Sequence, residues 1–209
     1  MITIVLLDPN PISKTGLSTI LGKVTNFHIL AESSNILDFP KLAIQFQPKL
    51  LLIDFKSLLQ MENGLSNCTS FAANQTVTVI INANNIDDML FSLIQAGVLG
   101  ALGSNINEVN LENAIMRASQ GEILFSQEQI ESARLFQETL TNKWNILTDR
   151  EREILFLLYQ GFGNKIIAII KQISIKTVSF HVSNILRKLS LESRQELIIW
   201  YEKYVKKLR

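Results

Sequence analysis

Two sets of residues in this chain have types and spacings suited to chemistry. The first lies in ISIKTVSFHVSNILRKL, residues 173–189. Lys176, Ser179, Ser183, Asn184, Arg187 and Lys188 share one side of the helix it predicts, opposite Val178, Val182, Ile185, Leu186 and Leu189. A solvated helix usually interleaves Glu with Lys, whereas this segment carries no acid. Its short hydroxyl and amide tips let a backbone come close to a partner, and its cations suit a polyanion. The alternative is a solvated helix in an all-α interaction module. The second set is a pair of carboxylates, Asp8 and Asp54, which end the apolar runs ITIVLLD and KLLLID. At one edge of a sheet they could share a hard cation.

Elements must bring these groups into place. In the first half, apolar runs at 2–8, 27–32, 49–54, 76–83 and 98–103 predict five strands. Helical patterns near 13–23, 38–46, 86–97 and 107–119 separate them. Fully apolar strands alternating with helices predict a parallel sheet buried on both faces, a five-stranded doubly wound α/β domain. After Gly121 the pattern changes. Residues 126–140 read as a linker helix opened by a capping box, Ser126 with Gln129. Strands then disappear. Thr148 with Glu151 predicts a second capping box for a helix to Gln160, Asn164 is expected to cap a short helix to about Lys171, and Ser193 with Glu196 predicts a third box. Four compact helices with a tight turn at Gln172–Ile173–Ser174 make a small all-α helix-turn-helix domain. The expected division is 1–120, a linker at 121–142, and 143–209.

Composition narrows the function classes. Hydrophobic residues make up 47% and charged residues 19%, enough for packed cores and against disorder. The net charge of +1 hides an asymmetry: residues 1–142 hold 7 basic and 13 acidic side chains, and residues 143–209 hold 13 and 6. An acidic module joined to a basic one points to a polyanionic partner; mutual attraction of the halves is the other reading. The single cysteine, Cys68, has no partner for a disulfide and no neighbouring ligands for zinc. No secretory signal and no apolar run of membrane-spanning length is visible, so the chain is expected to stay where it is made, without a membrane partner. No nucleophile–base set, phosphate-cradling glycine loop or metal-ligand cluster is present, so no enzyme is expected. His181, flanked by Phe180 and Val182, is expected to be packed, and Trp144, Trp200 and Tyr204 to be core. Arg150 and Glu151 could meet a phosphate or each other.

Residues 147–200 resemble the LuxR-type DNA-binding domain of NarL/FixJ response regulators. Leu147-Thr148, Arg150-Glu151, Gly161, Asn164-Lys165, Ile167-Ala168, Ile173-Ser174, Lys176-Thr177-Val178, His181-Val182, Ile185, Lys188-Leu189 and Ser193-Arg194 stand in that family's order and spacing. The resemblance implies a recognition helix in the major groove. It assigns DNA contact to Lys165, Lys176, Thr177, Ser179, Phe180, Ser183, Asn184, Arg187 and Lys188. Three positions depart from the family. Ser179 replaces a usual lysine, Lys171 stands where a buried leucine is common, and Ile169-Ile170 where polar residues are. A slip of the middle helix would reconcile the last two.

The first half resembles a receiver domain. That resemblance makes Asp54 the phosphoacceptor candidate and Asp8 a metal-binding acid, with Mg²⁺ between them but no cofactor strictly required. The pocket is depleted. Pro9 replaces a second acid, Asn82 the switch Ser/Thr, and Ser104 the lysine, and FKSLLQMENG lacks the usual Met-Pro pair. Without that lysine and hydroxyl, less stabilises a phosphoryl group or pulls a loop inward. Asp54 is therefore either a weak phosphoacceptor or a relic in a pseudo-receiver used for dimerisation or protein binding.

The expected function is transcriptional regulation through double-stranded DNA, as a homodimer on paired half-sites, with a sensor histidine kinase as a possible partner. The competing expectation is a phosphoacceptor or pseudo-receiver signalling protein that acts through protein contacts. Only 9 Gly and 4 Pro, with many Ile, Asn and Lys, suggest an A+T-rich genome. The chain is similar to response-regulator-like proteins encoded in algal plastids, which implies the plastid stroma of a chloroplast, or otherwise a bacterial cytoplasm.

Overall fold

The computed structural model describes residues 1–205; positions 206–209 of the expected C-terminal domain lie outside the described residues. The chain forms two compact units, Met1–Arg134 and Leu135 onward. Each is built on its own pattern.

Unit one contains β1 (Ile2–Leu7), α1 (Pro11–Gly22), β2 (Phe27–Ser33), α2 (Phe39–Phe46), β3 (Leu50–Asp54), α3 (Phe55–Gln60), α4 (Gly64–Ala73), β4 (Val77–Ile81), α5 (Leu90–Gln95), β5 (Val98–Ala101) and α6 (Glu108–Ser119). The strands form one parallel sheet in the order β2-β1-β3-β4-β5. This is the doubly wound architecture the apolar runs predict. Alternate residues explain why those runs are continuous. Val5, Leu7, Leu51, Ile53 and Ile80 enter one core, whereas Ile4, Leu6, Leu50, Leu52, Val79 and Ile81 enter the other. Both faces of the sheet are dry, so no position in the central strands is left for a polar residue.

Local structure departs from the sequence reading in three places. The fifth strand is shorter than expected. The helical pattern at 86–97 breaks into a 3₁₀ turn, Asp87–Met89, and the short α5, neither with a side-chain cap. The β3–β4 connection holds two helices that sequence periodicity did not mark. Here Asp54 ends the strand and caps the next helix in one step, accepting from the Ser57 backbone N–H. Asn63 then takes a left-handed conformation, and a side chain at Gly64 would strike the Leu58 carbonyl oxygen.

α7 (Gln127–Asn145) carries the division between the units within its length. Its N-terminus shows the expected reciprocal box, with Ser126 and Gln129 each bonding the other's backbone N–H. Unit two continues with α8 (Asp149–Tyr159), α9 (Asn164–Lys171), α10 (Ile175–Leu189), α11 (Arg194–Trp200) and a final π-type turn, Tyr201–Val205. Thr148 and Glu151 form the predicted capping box. Two caps differ from expectation. Gly163, not Asn164, caps α9, which frees the Asn164 side chain for other work. Glu196 accepts from the Glu192 backbone N–H and not from that of Ser193, so the third box is not reciprocal.

The core of unit two gathers Leu147, Ile154, Leu155, Leu158, Ile167, Val178, Ile185, Leu189, Leu197 and Trp200. Trp144 and Tyr204 are partly buried against it, as expected for core aromatics. α9 buries Ile167 and Ala168 while Ile166, Ile169 and Ile170 remain exposed, so the middle helix has not slipped to hide its isoleucines. α9 and α10 are bent by 108° across their short turn, the geometry of a helix-turn-helix. No single helix among the described residues is long and apolar enough to cross a membrane; the one bent pair that qualifies by composition is this pair.

Candidate nucleic-acid interface and acidic pocket

α10 has two faces because its apolar and polar residues keep separate helical registers. Val178, Ile185 and Leu189 are fully buried. Lys176, Ser179, Phe180, Ser183 and Arg187 are exposed, and Thr177 and Asn184 are half-buried at the edges. The exposed set repeats at intervals of three and four residues, so it forms one continuous strip. Ser174 caps the helix through the Thr177 backbone N–H at 3.0 Å, and its hydroxyl lies 2.7 Å from the Thr177 hydroxyl. Phe180 is 63% exposed in the middle of the strip, with its ring edge toward His181. Lys165 is exposed on the first turn of α9.

Residues behind the strip hold it in place, and the sequence reading did not assign them this work. The Asn164 amide donates to Ser179 Oγ at 3.1 Å, and Arg194 donates to Asn164 Oδ1 at 3.1 Å and to the Phe162 carbonyl at 2.6 Å. One polar chain thus joins α9, α10 and α11. The hint available in sequence was a run of polar positions in the family's spacing, which says that they matter and not what they touch.

Lys188 is a correction. It was expected at a phosphate, yet its ammonium turns inward, 2.6 Å from Glu151 Oε2 and 3.0 Å from the Ile146 carbonyl. Glu151 is buried and also accepts from the Thr148 backbone N–H and hydroxyl. Burial pushes its carboxyl upward, but the Lys188 ammonium and the Thr148 donors outweigh this and hold it below the ordinary carboxylate range. Arg150 and Glu151 do not pair with each other. Arg150 bonds Glu153 and the Lys171 carbonyl, and Lys171 reaches Glu153 at 2.9 Å. That pairing is how a lysine stands where an apolar residue is usual: its head is neutralised at the surface while its stem packs.

The second site lies at the carboxyl edge of the sheet of unit one. An open depression of about 680 Å³ is lined by Asp8, Asn10, Ser13, Asp54, Lys56, Ser57, Asn82, Asn84 and Ser104, among others. Asp8 and Asp54 are both buried. Asn82, at the end of β4, donates from one amide nitrogen to Asp8 Oδ2 at 3.2 Å and to Asp54 Oδ1 at 3.1 Å. Ser104, at the position of the missing lysine, takes a hydrogen bond from Asn84. The structure therefore brings together the two acids and all three depleted positions that the sequence singled out, Pro9 included. Among the described residues no group of three or more His, Cys, Asp or Glu side chains gathers to hold a metal. Two carboxylates bridged by an amide do not fit an octahedral Mg²⁺ as they stand.

Residues 145–201 match the family of bacterial regulatory proteins described as the luxR family. The chain is 29% identical over 204 residues to the nitrate/nitrite response regulator protein NarL of Escherichia coli, covering 95% of this chain and 94% of that protein. It is 27% identical over 201 residues to the response regulator protein VraR of Staphylococcus aureus, covering 95% of each. Among solved structures, the fold is similar to the RcsB response regulator of Salmonella typhimurium, with a TM-score of 0.67, 17% identity, and coverage of 97% of this chain and 100% of that one. It is also similar to RcsB in a complex with DNA, with a TM-score of 0.61, 18% identity, and coverage of 97% and 98%.

Proposed function

We propose that this chain, a response regulator whose C-terminal unit is of the luxR family, is a transcriptional regulator that binds double-stranded DNA through α10. The observation that carries this reading is the acid-free strip on α10, exposed and held from behind by Asn164 and Arg194. A helix presenting short polar tips fits a major groove and reads base edges. Ser179, Phe180, Ser183 and Asn184 face the bases; Thr177 sits at the helix entry; Lys165, Lys176 and Arg187 neutralise phosphates. Lys188 has no direct role at a phosphate and instead locks α10 to the start of α8.

The working division is a regulatory domain over 1–120, a linker helix over 121–142 and a DNA-binding domain over 143–209. The protein binds as a homodimer on paired half-sites, and a sensor histidine kinase is its upstream partner. RcsB, to which the fold is similar, has been solved with DNA. No cofactor is needed for DNA binding. A Mg²⁺ ion at Asp8 and Asp54 requires Asn82 to leave the bridge between them. Composition and the algal resemblance favour the plastid stroma as the place of action, with a bacterial cytoplasm, as for NarL and VraR, the alternative; fractionation of the source cells decides between them.

The second reading, a signalling protein whose output is protein contact, draws on the depleted pocket around Asp54. Selection of bound duplexes from a random pool with the full chain separates the two. Enrichment of a paired-half-site sequence is expected. Recovery of an unenriched pool, alongside acetyl-phosphate labelling of Asp54, favours the second reading.

A further inference from the structure

We propose that Asn82 occupies the place of the divalent cation in the acidic pocket, so that unit one holds its carboxylates closed without metal. The inference rests on the receiver-like reading of this unit. All four carboxylate oxygens are satisfied by neutral donors of the chain itself. Asp8 Oδ1 accepts from the Asn10 backbone N–H at 2.8 Å, and Asp54 Oδ2 from the Ser57 backbone N–H at 2.9 Å and the Ser57 hydroxyl at 3.0 Å. The two remaining oxygens, Asp8 Oδ2 and Asp54 Oδ1, converge on the one Asn82 nitrogen. An NH₂ group carries two protons, one for each carboxylate. A primary amide is thus the smallest neutral group that can do what a bridging cation does for two buried acids.

A Mg²⁺ ion needs oxygens about 2.0–2.1 Å away in an octahedron. Here the point between the two carboxylates is filled by a nitrogen that is not a ligand, and its protons face any incoming cation. A second observation explains why asparagine stands at this position. Asn82 has φ of 55°, the left-handed region, which asparagine tolerates and a β-branched residue does not. The backbone at the end of β4 and the bridge in the pocket therefore select the same side chain. Ser13 Oγ, 3.5 Å away, is the only other hydrogen-bond neighbour recorded for that nitrogen, and Lys56 supplies an exposed positive charge at the rim.

The test compares the full-length protein with Asn82→Ala and Asn82→Asp. Thermal melting is followed in EDTA and in millimolar Mg²⁺, and Mn²⁺ binding is measured by titration calorimetry. The wild type is expected to melt at the same temperature in both buffers and to show no saturable Mn²⁺ binding. Both variants lose the amide bridge, so they should melt lower in EDTA, recover in Mg²⁺, and bind Mn²⁺ at least about tenfold more tightly, as removal of one or two competing charge-assisted hydrogen bonds implies. Wild-type Mn²⁺ affinity equal to that of the variants overturns the proposal. So does melting of the variants that metal leaves unchanged, or failure of both to fold even in Mg²⁺. Duplex binding by the wild type is scored separately: if it persists while the metal effects fail, only this inference is lost.

Discussion

Glu151 joins three jobs in one carboxylate: it completes the cap of α8, neutralises Lys188, and fixes the loop before α8 to the end of α10. Its removal leaves a partly buried ammonium and an orphan N–H, so Glu151→Gln should cost about 1–3 kcal/mol, measured by urea denaturation. The pH dependence has a definite sign. A carboxyl held below its ordinary value contributes stability that is present above that value and is lost as pH falls through its folded pKa. The gap between wild type and Glu151→Gln should therefore close on acidification. Cys68 gives the opposite case. It is buried between α4 and the sheet, and burial pushes its thiol from 9.0 up to about 11. Its contribution is complete below pH 9.0 and is lost as pH rises toward about 11, so unit one should weaken over that window. Native protein at neutral pH should react with a thiol reagent only as fast as it opens. The sequence exposed the chemistry of these residues but not their partners. Lys188 looked like a phosphate ligand because a cation's direction depends on an acid 37 positions away, which no helical period encodes.

At the scale of elements, the helices and strands that pack by simple periodicity were legible. α10 shows why: its buried set repeats as a helix must and its polar set fills the remainder. The β-strands were legible for the opposite reason, since burial on both faces removes every polar residue from them. α3 and α4 were not, because they are short and end on special backbone positions at Asn63 and Gly64 and not on a marked apolar stripe. The capping residue of α9 was missed because Asn164 is a good cap by type, yet its amide serves Ser179. This arrangement makes the strip on α10 a distinct test object. Lys176→Ala and Lys165→Ala should each weaken duplex binding uniformly across sequences and reduce the salt slope by about one. Ser183→Ala and Asn184→Ala should change sequence preference more than the salt slope. Ser179→Lys, with a cation in place of a hydroxyl, should steepen the slope. Ile185→Ala, behind the strip, should cost about 2–5 kcal/mol of stability and affect binding only through the fold.

At the scale of the molecule, charge and core divide in the same way. The acidic portion of the chain builds a sheet with cores on two faces, and the basic portion builds a helical unit with a core of its own. Both were legible, because an average over many residues survives errors in single partners. The state of the acidic pocket was only half legible. The sequence showed which groups are missing, but the amide that bridges the two remaining acids needed coordinates. The claim on which the account turns is electrostatic contact between the α10 strip and a duplex. It is tested by measuring the dissociation constant of the full chain for a selected duplex over a range of salt concentrations. With Lys165, Lys176 and Arg187 contributing from each protomer of a dimer, log K should fall against log salt with a slope of about −5, and the Lys165→Ala/Lys176→Ala double variant should flatten it to about −2. A slope near zero in folded wild-type protein, or one that the double variant leaves unchanged, would contradict the account.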